Sequence, residues 1–292
     1  MSKLVVGGVH PVLSKPMTDM NLTFIGGGNM ASSLIGGLIA DGWNPATIQA
    51  SDRDEQQRQR LATRFGIATS ADNRTAAARA DIIVLAVKPQ VIKAVALDLA
   101  STVAQHGPLV ISIAAGVRES ALHDWLGAGT AIVRTMPNTP ALVQGGATAL
   151  FANPAVTEDQ RSTAESIMRA VGLALWVDDE DLLDAVTALS GSGPAYFFLF
   201  MEALQAGGCK LGLPEDTARL LALQTAFGAA KMALESPEDA ATLRHRVTSP
   251  GGTTERAISV FQQNGFEALV EKAMQAAATR SRELAEEIGN QS

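Results

Sequence analysis

Residues 247–254 read VTSPGGTT and set four hydroxyl side chains, Thr248, Ser249, Thr253 and Thr254, around Gly251 and Gly252. The stretch separates a helical pattern ending in Arg244-His245-Arg246 from another beginning at Glu255, and it holds neither the lysine of a phosphate-gripping loop nor an obvious general base. Such a loop binds something by hydrogen bonding, or it merely caps a helix, as Ser and Thr do wherever helices start. A second stretch, LTFIGGGNMASSLIGGL, puts Gly26, Gly28 and Ala31 at the G-x-G-x-x-[G/A] positions between a strand pattern and a helix pattern. The first glycine permits the tight turn, the second lets backbone approach a pyrophosphate, and the small third residue lets helix pack on strand. The free N–H groups of that helix then face the phosphates. This chemistry is dinucleotide binding; the alternative for a lone glycine triplet is an ordinary flexible turn.

In dinucleotide-binding folds the second strand carries the residue that reads the ribose, and here that strand ends in Ser51-Asp52-Arg53. Asp52 would accept from a ribose 2′-hydroxyl and repel a 2′-phosphate, whereas Ser51 and Arg53 would donate to that phosphate. Asp52 has a second reading as the cap of the next helix. In DIIVLAVKPQ, Pro89 suits a first helical position and leaves Lys88 at the carboxyl end of the sheet, where open α/β folds bind ligands. A lysine snorkelling to solvent is the bland reading. MPNTP, residues 136–140, brings Asn138 and Thr139 to the same edge, facing a nicotinamide.

These groups need a scaffold, and 292 residues, 47% of them hydrophobic, suffice for two domains. Twenty-three basic against thirty acidic residues give a net charge of -7 without a Lys/Arg cluster, which argues against nucleic acid or an anionic membrane and for small metabolites. Before about residue 180, β-rich runs alternate with helix-length segments: Leu22–Gly26, Thr47–Ala50, Ile82–Ala86, Leu109–Ile113, Ala131–Met136, Ala147–Phe151 and Leu173–Val177. The alternation predicts βαβ units and an α/β, Rossmann-like, doubly wound and mostly parallel sheet. IIVLA and LVISI are apolar without alternation, as strands covered on both faces are.

After Asp178 only helical patterns remain, punctuated by Leu213-Pro214 and by the N-cap signal Ser236-Pro237-Glu238-Asp239. Phe266, Leu269, Val270, Ala273, Met274 and Ala277 form one apolar stripe on the last helix. AYFFLFMEALQAGG is apolar nearly all round, yet it is too short for a membrane span and carries Glu202. A helix without a polar face is buried on every side, here within its own domain or between two subunits, and the second makes a homodimer the expectation. The expected organisation is an N-terminal extension over residues 1–20, an NAD(P)-binding Rossmann domain over 21–178 and an all-helical dimerisation domain over 179–292. Cys209, the single cysteine, reads as a small buried hydrophobe in a reducing, cytoplasmic setting. The first twenty residues lack the apolar core and basic start of a signal peptide, and nothing points to a metal.

GGGNM, AVKP, SIAAG, RTMPNTP, LSGSGPAY, KLGLP and VTSPGGTT occur in the order, and at about the spacings, of pyrroline-5-carboxylate reductases, and the resemblance runs from Asn21 to Glu286. GxGNM alone is shared by many dehydrogenases; LSGSGPAY together with SPGGTT is close to diagnostic. The resemblance implies hydride transfer from NADPH, with NADH possible, to C5 of a cyclic imine, giving L-proline in the last step of its biosynthesis. It also implies an active site between the Rossmann domain and a helical domain interlocked with a second subunit, and larger assemblies built of such dimers, up to a homodecamer. Gly26, Gly27, Gly28, Asn29, Met30 and Ala31 then match the pyrophosphate loop, and Asn73 matches an asparagine at the adenosine end. Ala86, Val87, Lys88 and Pro89 resemble the segment along the cofactor, while Ala115 and Asn138 fall near the nicotinamide. Ser249, Gly251, Gly252, Thr253 and Thr254 match the substrate loop.

For a small ring bearing one carboxylate and one imine nitrogen, a glycine-rich turn opening a helix supplies N–H groups and a positive dipole end to the carboxylate. Hydroxyls donate without adding charge, and Thr254 is placed to reach the ring nitrogen as the catalytic side chain. A preformed imine needs hydride at carbon and a proton at nitrogen, so the missing general base fits, and His10, His106, His123 and His245 read as structural or exposed. A β-hydroxyacid dehydrogenase would need a lysine soon after the domain junction, and none precedes Lys210 in that segment. A non-catalytic dinucleotide-binding sensor would have no reason to carry SPGGTT.

Overall fold

The computed structural model describes residues 19–289, so the extension expected over residues 1–20 lies outside the described residues except for Asp19 and Met20. Eight strands form one sheet: β1 (Leu22–Ile25), β2 (Ile48–Ser51), β3 (Ala68–Ser70), β4 (Ile82–Leu85), β5 (Leu109–Ser112), β6 (Ile132–Met136), β7 (Gly146–Ala152) and β8 (Gly172–Trp176). Their order is β3-β2-β1-β4-β5-β6-β7-β8, the doubly wound arrangement with its reversal between β1 and β4. Every pairing is parallel except β6 with β7. That exception follows from the connection, because a short 3₁₀ turn, Thr139–Val143, joins those two strands where a parallel return would need a helical crossover. β3 escapes the sequence reading. It is three residues, Ala-Thr-Ser, at the sheet edge, with no apolar run to betray it.

Helices α1 (Asn29–Ala40), α2 (Glu55–Phe65), α3 (Asn73–Ala77), α4 (Pro89–His106), α5 (Glu119–Leu126) and α6 (Glu158–Arg169) link the strands. Alternate residues of each central strand feed opposite faces. Leu22, Phe24, Ile82, Val84 and Ile111 pack with Leu34, Ile35 and Leu38 of α1, whereas Ile25, Ile83, Leu85 and Val110 pack with Ile92, Val95 and Leu99 of α4. The continuous apolar run of β4 is therefore explained, since all four of its side chains are buried. Each such side chain contributes about 1.5–3 kcal/mol by leaving water.

The rest of the described chain is helical: α7 (Leu182–Val186), a π-helical turn at Thr187–Gly191, α8 (Gly193–Lys210), α9 (Glu215–Glu235), α10 (Ala240–Arg246), α11 (Thr253–Gln263) and α12 (Phe266–Gly289). The chain divides into two compact units, one running up to Leu183 and including the residues from Leu284 onward, the other Asp184–Glu283. The last turns of α12 thus count with the sheet, and Ile288 is buried among residues of α4 and α5.

An acidic run just before the second unit is tied to the sheet. Glu180 accepts from the guanidinium of Arg134, a buried residue of β6, and from the backbone N–H of Glu119 at 2.6 Å. Asp181 accepts from Arg118 at 2.5 Å. Sequence reading passes over this clamp, because its partners are 46 to 63 residues apart along the chain.

Within the second unit Gly208 of α8 lets Ala218 of α9 come close: a Cβ added there would lie 3.2 Å from the alanine methyl. Phe261 joins α11 to α8 and α12 through ring contacts with Phe200 at 6.0 Å and Phe266 at 5.6 Å. Even so, one chain does not bury α8 on every side. Phe197, Phe198 and Leu199 are 65, 63 and 67% exposed, and Leu269 of the stripe on α12 is exposed as well. Cys209, expected to be buried, is half-buried on the last turn of α8. Contiguous apolar surface of this kind marks an interface.

Two outcomes follow from this packing. Phe198→Glu sets a charge in the apolar face of α8 and should cost several kcal/mol in assembly, seen in sedimentation as monomer or unfolded chain; an undisturbed wild-type monomer would refute burial by a second copy. Glu180→Ala removes the carboxylate facing buried Arg134 and should lower unfolding stability by about 3 kcal/mol in urea melts, with Glu180→Gln between the two.

Candidate functional site

At the end of β1 the chain turns through Gly26, whose φ of 100° suits glycine alone among common residues. Its N–H donates to Ser51 O of β2 at 2.8 Å, and a Cβ there would lie 2.6 Å from Ala86 O beyond β4. Gly28 then begins α1 as its N-cap. No side chain caps this helix, no acid sits in its first turn, and an added Cβ at Gly28 would meet nothing within 4 Å. The positive end of α1 is therefore open to an anion.

Gly27, between them, is held from both sides. Its N–H donates to Asp52 Oδ2 at 2.8 Å, and its carbonyl accepts from the Gln57 side-chain amide. The other oxygen of Asp52 accepts from the Asp54 N–H at 2.9 Å, and Asp54, not Asp52, caps α2 by accepting from Gln56 N at 2.8 Å. Asp52 is thus a brace between the strand-end turn and the glycine loop. Ser51 is fully buried, and its hydroxyl donates to Asn73 Oδ1 at 2.7 Å, which orients the Asn73 amide. Asn73 opens α3 behind the N-cap Asp72, and hydrogen bonds from the Thr75 side chain and backbone hold the Asp72 carboxyl below its ordinary range. Arg53 is exposed.

The remaining positions of the first unit lie along the same sheet edge. Ala86 and Val87 follow β4, Lys88 is the exposed N-cap of α4, and Pro89 is that helix's first residue. Ala115, exposed, follows β5. Asn138 follows β6 and accepts from Ala147 N at 2.9 Å, which pins the strand end against β7. Met30 and Ala31 lie in the first turn of α1, with Ala31 buried as close packing of helix on strand requires. All belong to the carboxyl ends of β1, β2, β4, β5 and β6 or the turns after them, with β1 and β4 flanking the reversal.

In the second unit the 247–254 stretch joins α10 to α11. Thr248 Oγ donates to Arg244 O at 2.7 Å and closes the last turn of α10. Ser249 O accepts from Gly252 N at 3.0 Å, Gly251 takes a φ of 73°, and Gly252 becomes the N-cap of α11 with no side-chain cap. None of the hydroxyls is spent capping α11. Thr253 and Thr254, its first residues, are exposed, and the helix starts two residues before the Glu255 expected from the pattern. A group the sequence reading missed also serves the loop: Glu255 Oε2 accepts from Gly251 N at 2.7 Å. Its signal was a glutamate at the third helical position, as in a capping box, though here it reaches one residue further back. His245 and His106 are exposed, His123 is half-buried beside Asp124, and His10 lies outside the described residues. Among the described residues no three His, Cys, Asp or Glu side chains could hold a metal ion, and no helix is long and apolar enough to cross a membrane.

A family profile described as pyrroline-5-carboxylate reductase dimerisation matches residues 180–284, and one described as NADP oxidoreductase, coenzyme F420-dependent, matches residues 21–116. The pyrroline-5-carboxylate reductase of Pseudomonas aeruginosa is 54% identical over 273 residues, covering 94% of this chain and all of its own. That of Haemophilus influenzae is 45% identical, covering 90% of this chain and 97% of its own. Among solved structures, a pyrroline-5-carboxylate reductase from Coxiella burnetii superposes with a TM-score of 0.89 at 50% identity, covering 91% of this chain and 99% of that one. The pyrroline carboxylate reductase of Plasmodium falciparum, solved with NADP bound, gives 0.82 at 29% identity over 92% of this chain and 99% of that one. Identity at this level, sustained over nearly the full length of both chains, means that the protein belongs to the pyrroline-5-carboxylate reductase family.

Proposed function

We propose that this chain reduces L-1-pyrroline-5-carboxylate to L-proline with NADPH, and less well with NADH. One observation carries the reading beyond family membership: α11 opens at Gly252 with no side-chain cap, leaving the N–H groups of Thr253 and Thr254 and the hydroxyls of a Ser-Pro-Gly-Gly-Thr-Thr turn for a small anionic ring, while the Gly251 and Gly252 N–H groups are spent on Glu255 and Ser249. The first unit supplies the cofactor half. Gly28 leaves the space a Cβ would fill and α1 is uncapped, so residues 26–31 fit a pyrophosphate, with Asn73 and Arg53 toward the adenosine end and residues 86–89, Ala115 and Asn138 toward the nicotinamide. Bound there, the reduced nicotinamide supplies the hydride that C5 of the imine receives.

The chain's own residues bind and orient the substrate. Backbone around Gly252 and Thr253 takes the carboxylate, Gly251 and Ser249 shape the turn, and the Thr254 hydroxyl meets the ring nitrogen, its oxygen accepting from the N–H of the protonated imine and its O–H able to donate to the lone pair that forms there as carbon is reduced. Positioning dominates the rate, since an imine that arrives protonated asks no side chain for a proton. The helical half pairs with a second copy through α8 and its neighbours, and dimers of this kind join into a larger ring such as a decamer. The single half-buried cysteine suits a reducing cytoplasm.

Turnover of pyrroline-5-carboxylate with reduced nicotinamide tests the activity itself, and absence of proline would overturn the reading. Thr254→Ala should lose about 1–3 kcal/mol, or roughly tenfold to a hundredfold in kcat/KM, more in kcat than in KM, with cofactor affinity unchanged and Thr254→Ser retaining most activity. Equal damage in both variants would instead assign the loss to the methyl group. For cofactor choice, both Asp52 oxygens already accept backbone N–H groups while Arg53 is free to face a 2′-phosphate, so NADPH should be preferred modestly. Arg53→Ala should lower kcat/KM for NADPH by roughly tenfold or more and leave NADH nearly unchanged. A wild-type preference for NADH would make Asp52 the ribose acceptor.

A further inference from the structure

A cavity of about 580 Å³ lies between α1, α2 and the turn at Thr139–Val143; it starts beside Asn29, the first residue of α1, and runs along that helix to Gly37. It is of a size that holds small ligands. No carboxylate lines it, although the whole chain carries thirty acids and a net charge of -7. Arg60 and Arg64 do line it, and their spacing places both guanidiniums on one side of α2. Like charges at that spacing destabilise a helix. Among the described residues neither is in an ion pair, and Arg64 instead rests over the Phe65 ring at 4.9 Å from its centroid.

The other walls complete a polar site. Ser32 lines it from α1, and Gln144 lines it from the turn after Val143. Gln144 is the one non-glycine among the described residues with positive φ, 58°, a backbone state that costs energy and is maintained where surrounding structure demands it. Exposed Leu142 and Val143 give the rim an apolar lip. Gln57, finally, belongs to both structures: it lines the cavity and its amide donates to Gly27 O. An occupant would border the glycine loop itself, at Asn29.

We propose that this cavity is a second binding site, for a small multiply charged oxyanion such as a phosphate or polycarboxylate metabolite, held by the forks of Arg60 and Arg64 and the Ser32 hydroxyl. Planar guanidiniums bind such oxyanions bidentately, and an anion between them removes the repulsion along α2. The site borders the glycine loop at Asn29, but its two arginines lie farther along α2, and binding that persists with NADPH bound separates it from the cofactor's own phosphate positions.

Calorimetric titration of the folded protein with inorganic phosphate, at ionic strength held constant with chloride, tests it. The expected result is saturable binding of one phosphate per chain, weakened at least tenfold in Arg60→Gln/Arg64→Gln and retained when NADPH is saturating. Thermal melts confirm that the double variant, changed only on a helix surface, is folded. Absence of saturable binding, or binding unaltered in the double variant, would show an ordinary solvated helix face and overturn the proposal. Binding abolished by NADPH would overturn it too, by assigning the phosphate to the cofactor loop. A chain that fails to bind NADPH leaves the comparison of wild type with variant intact, so failure of the reductase reading is separable from failure of this one.

Discussion

Three central strands converge on one residue without a side chain. Gly26 accepts a left-handed turn, donates to the carbonyl of Ser51 at the end of β2 and passes so near Ala86 after β4 that a methyl group would collide with its carbonyl. The close approach makes the reversal between β1 and β4 a crevice rather than a filled edge. Everything proposed for the cofactor hangs from it: Gly28 begins α1 with open space before it, and the segments after β4, β5 and β6 reach the same edge because their strands are parallel and in register with β1. Hydrophobic burial on both faces of the sheet holds that geometry, and the turn leaves the start of α1 uncapped.

The helical unit follows a different logic. Its helices pack on one another, as at the Gly208–Ala218 approach of α8 and α9 and in the aromatic series Phe200–Phe261–Phe266, yet a large apolar area stays in water. A chain that leaves three consecutive large side chains of α8 mostly exposed gains far more from a second copy than from any rearrangement within itself. Membership of a family with a named dimerisation region accords with this. Oligomerisation is then part of the fold's stability.

Several carboxylates in this protein brace loops. Asp52 holds Gly27, Glu255 holds Gly251, and Glu180 holds Arg134 together with the start of α5. In the first two cases an acid occupies one backbone N–H of a glycine turn while neighbouring N–H groups stay available at the helix start. A rigid turn loses less entropy when it binds, which is the benefit of bracing it.

Periodicity and local chemistry made much of this legible in the chain itself. Buried parallel strands announce themselves by unbroken apolar runs, so seven of the eight strands, the helical second half and the Gly26, Gly28, Ala31 turn could be read directly, and the resemblance carried by LSGSGPAY and SPGGTT supplied the reaction class. What only the tertiary structure decided is the use of polar side chains whose partners are distant in sequence. Ser51, read as a phosphate donor, is buried and bonded to Asn73; Asp52, open between ribose acceptor and helix cap, braces Gly27; and the cap is Asp54. The three-residue β3 and the cavity faced by Arg60 and Arg64 were equally invisible. An apolar pattern is imposed by water on every strand and helix alike and so is written in period, whereas a hydrogen bond depends on where two remote atoms come to rest, and no spacing along the chain encodes that.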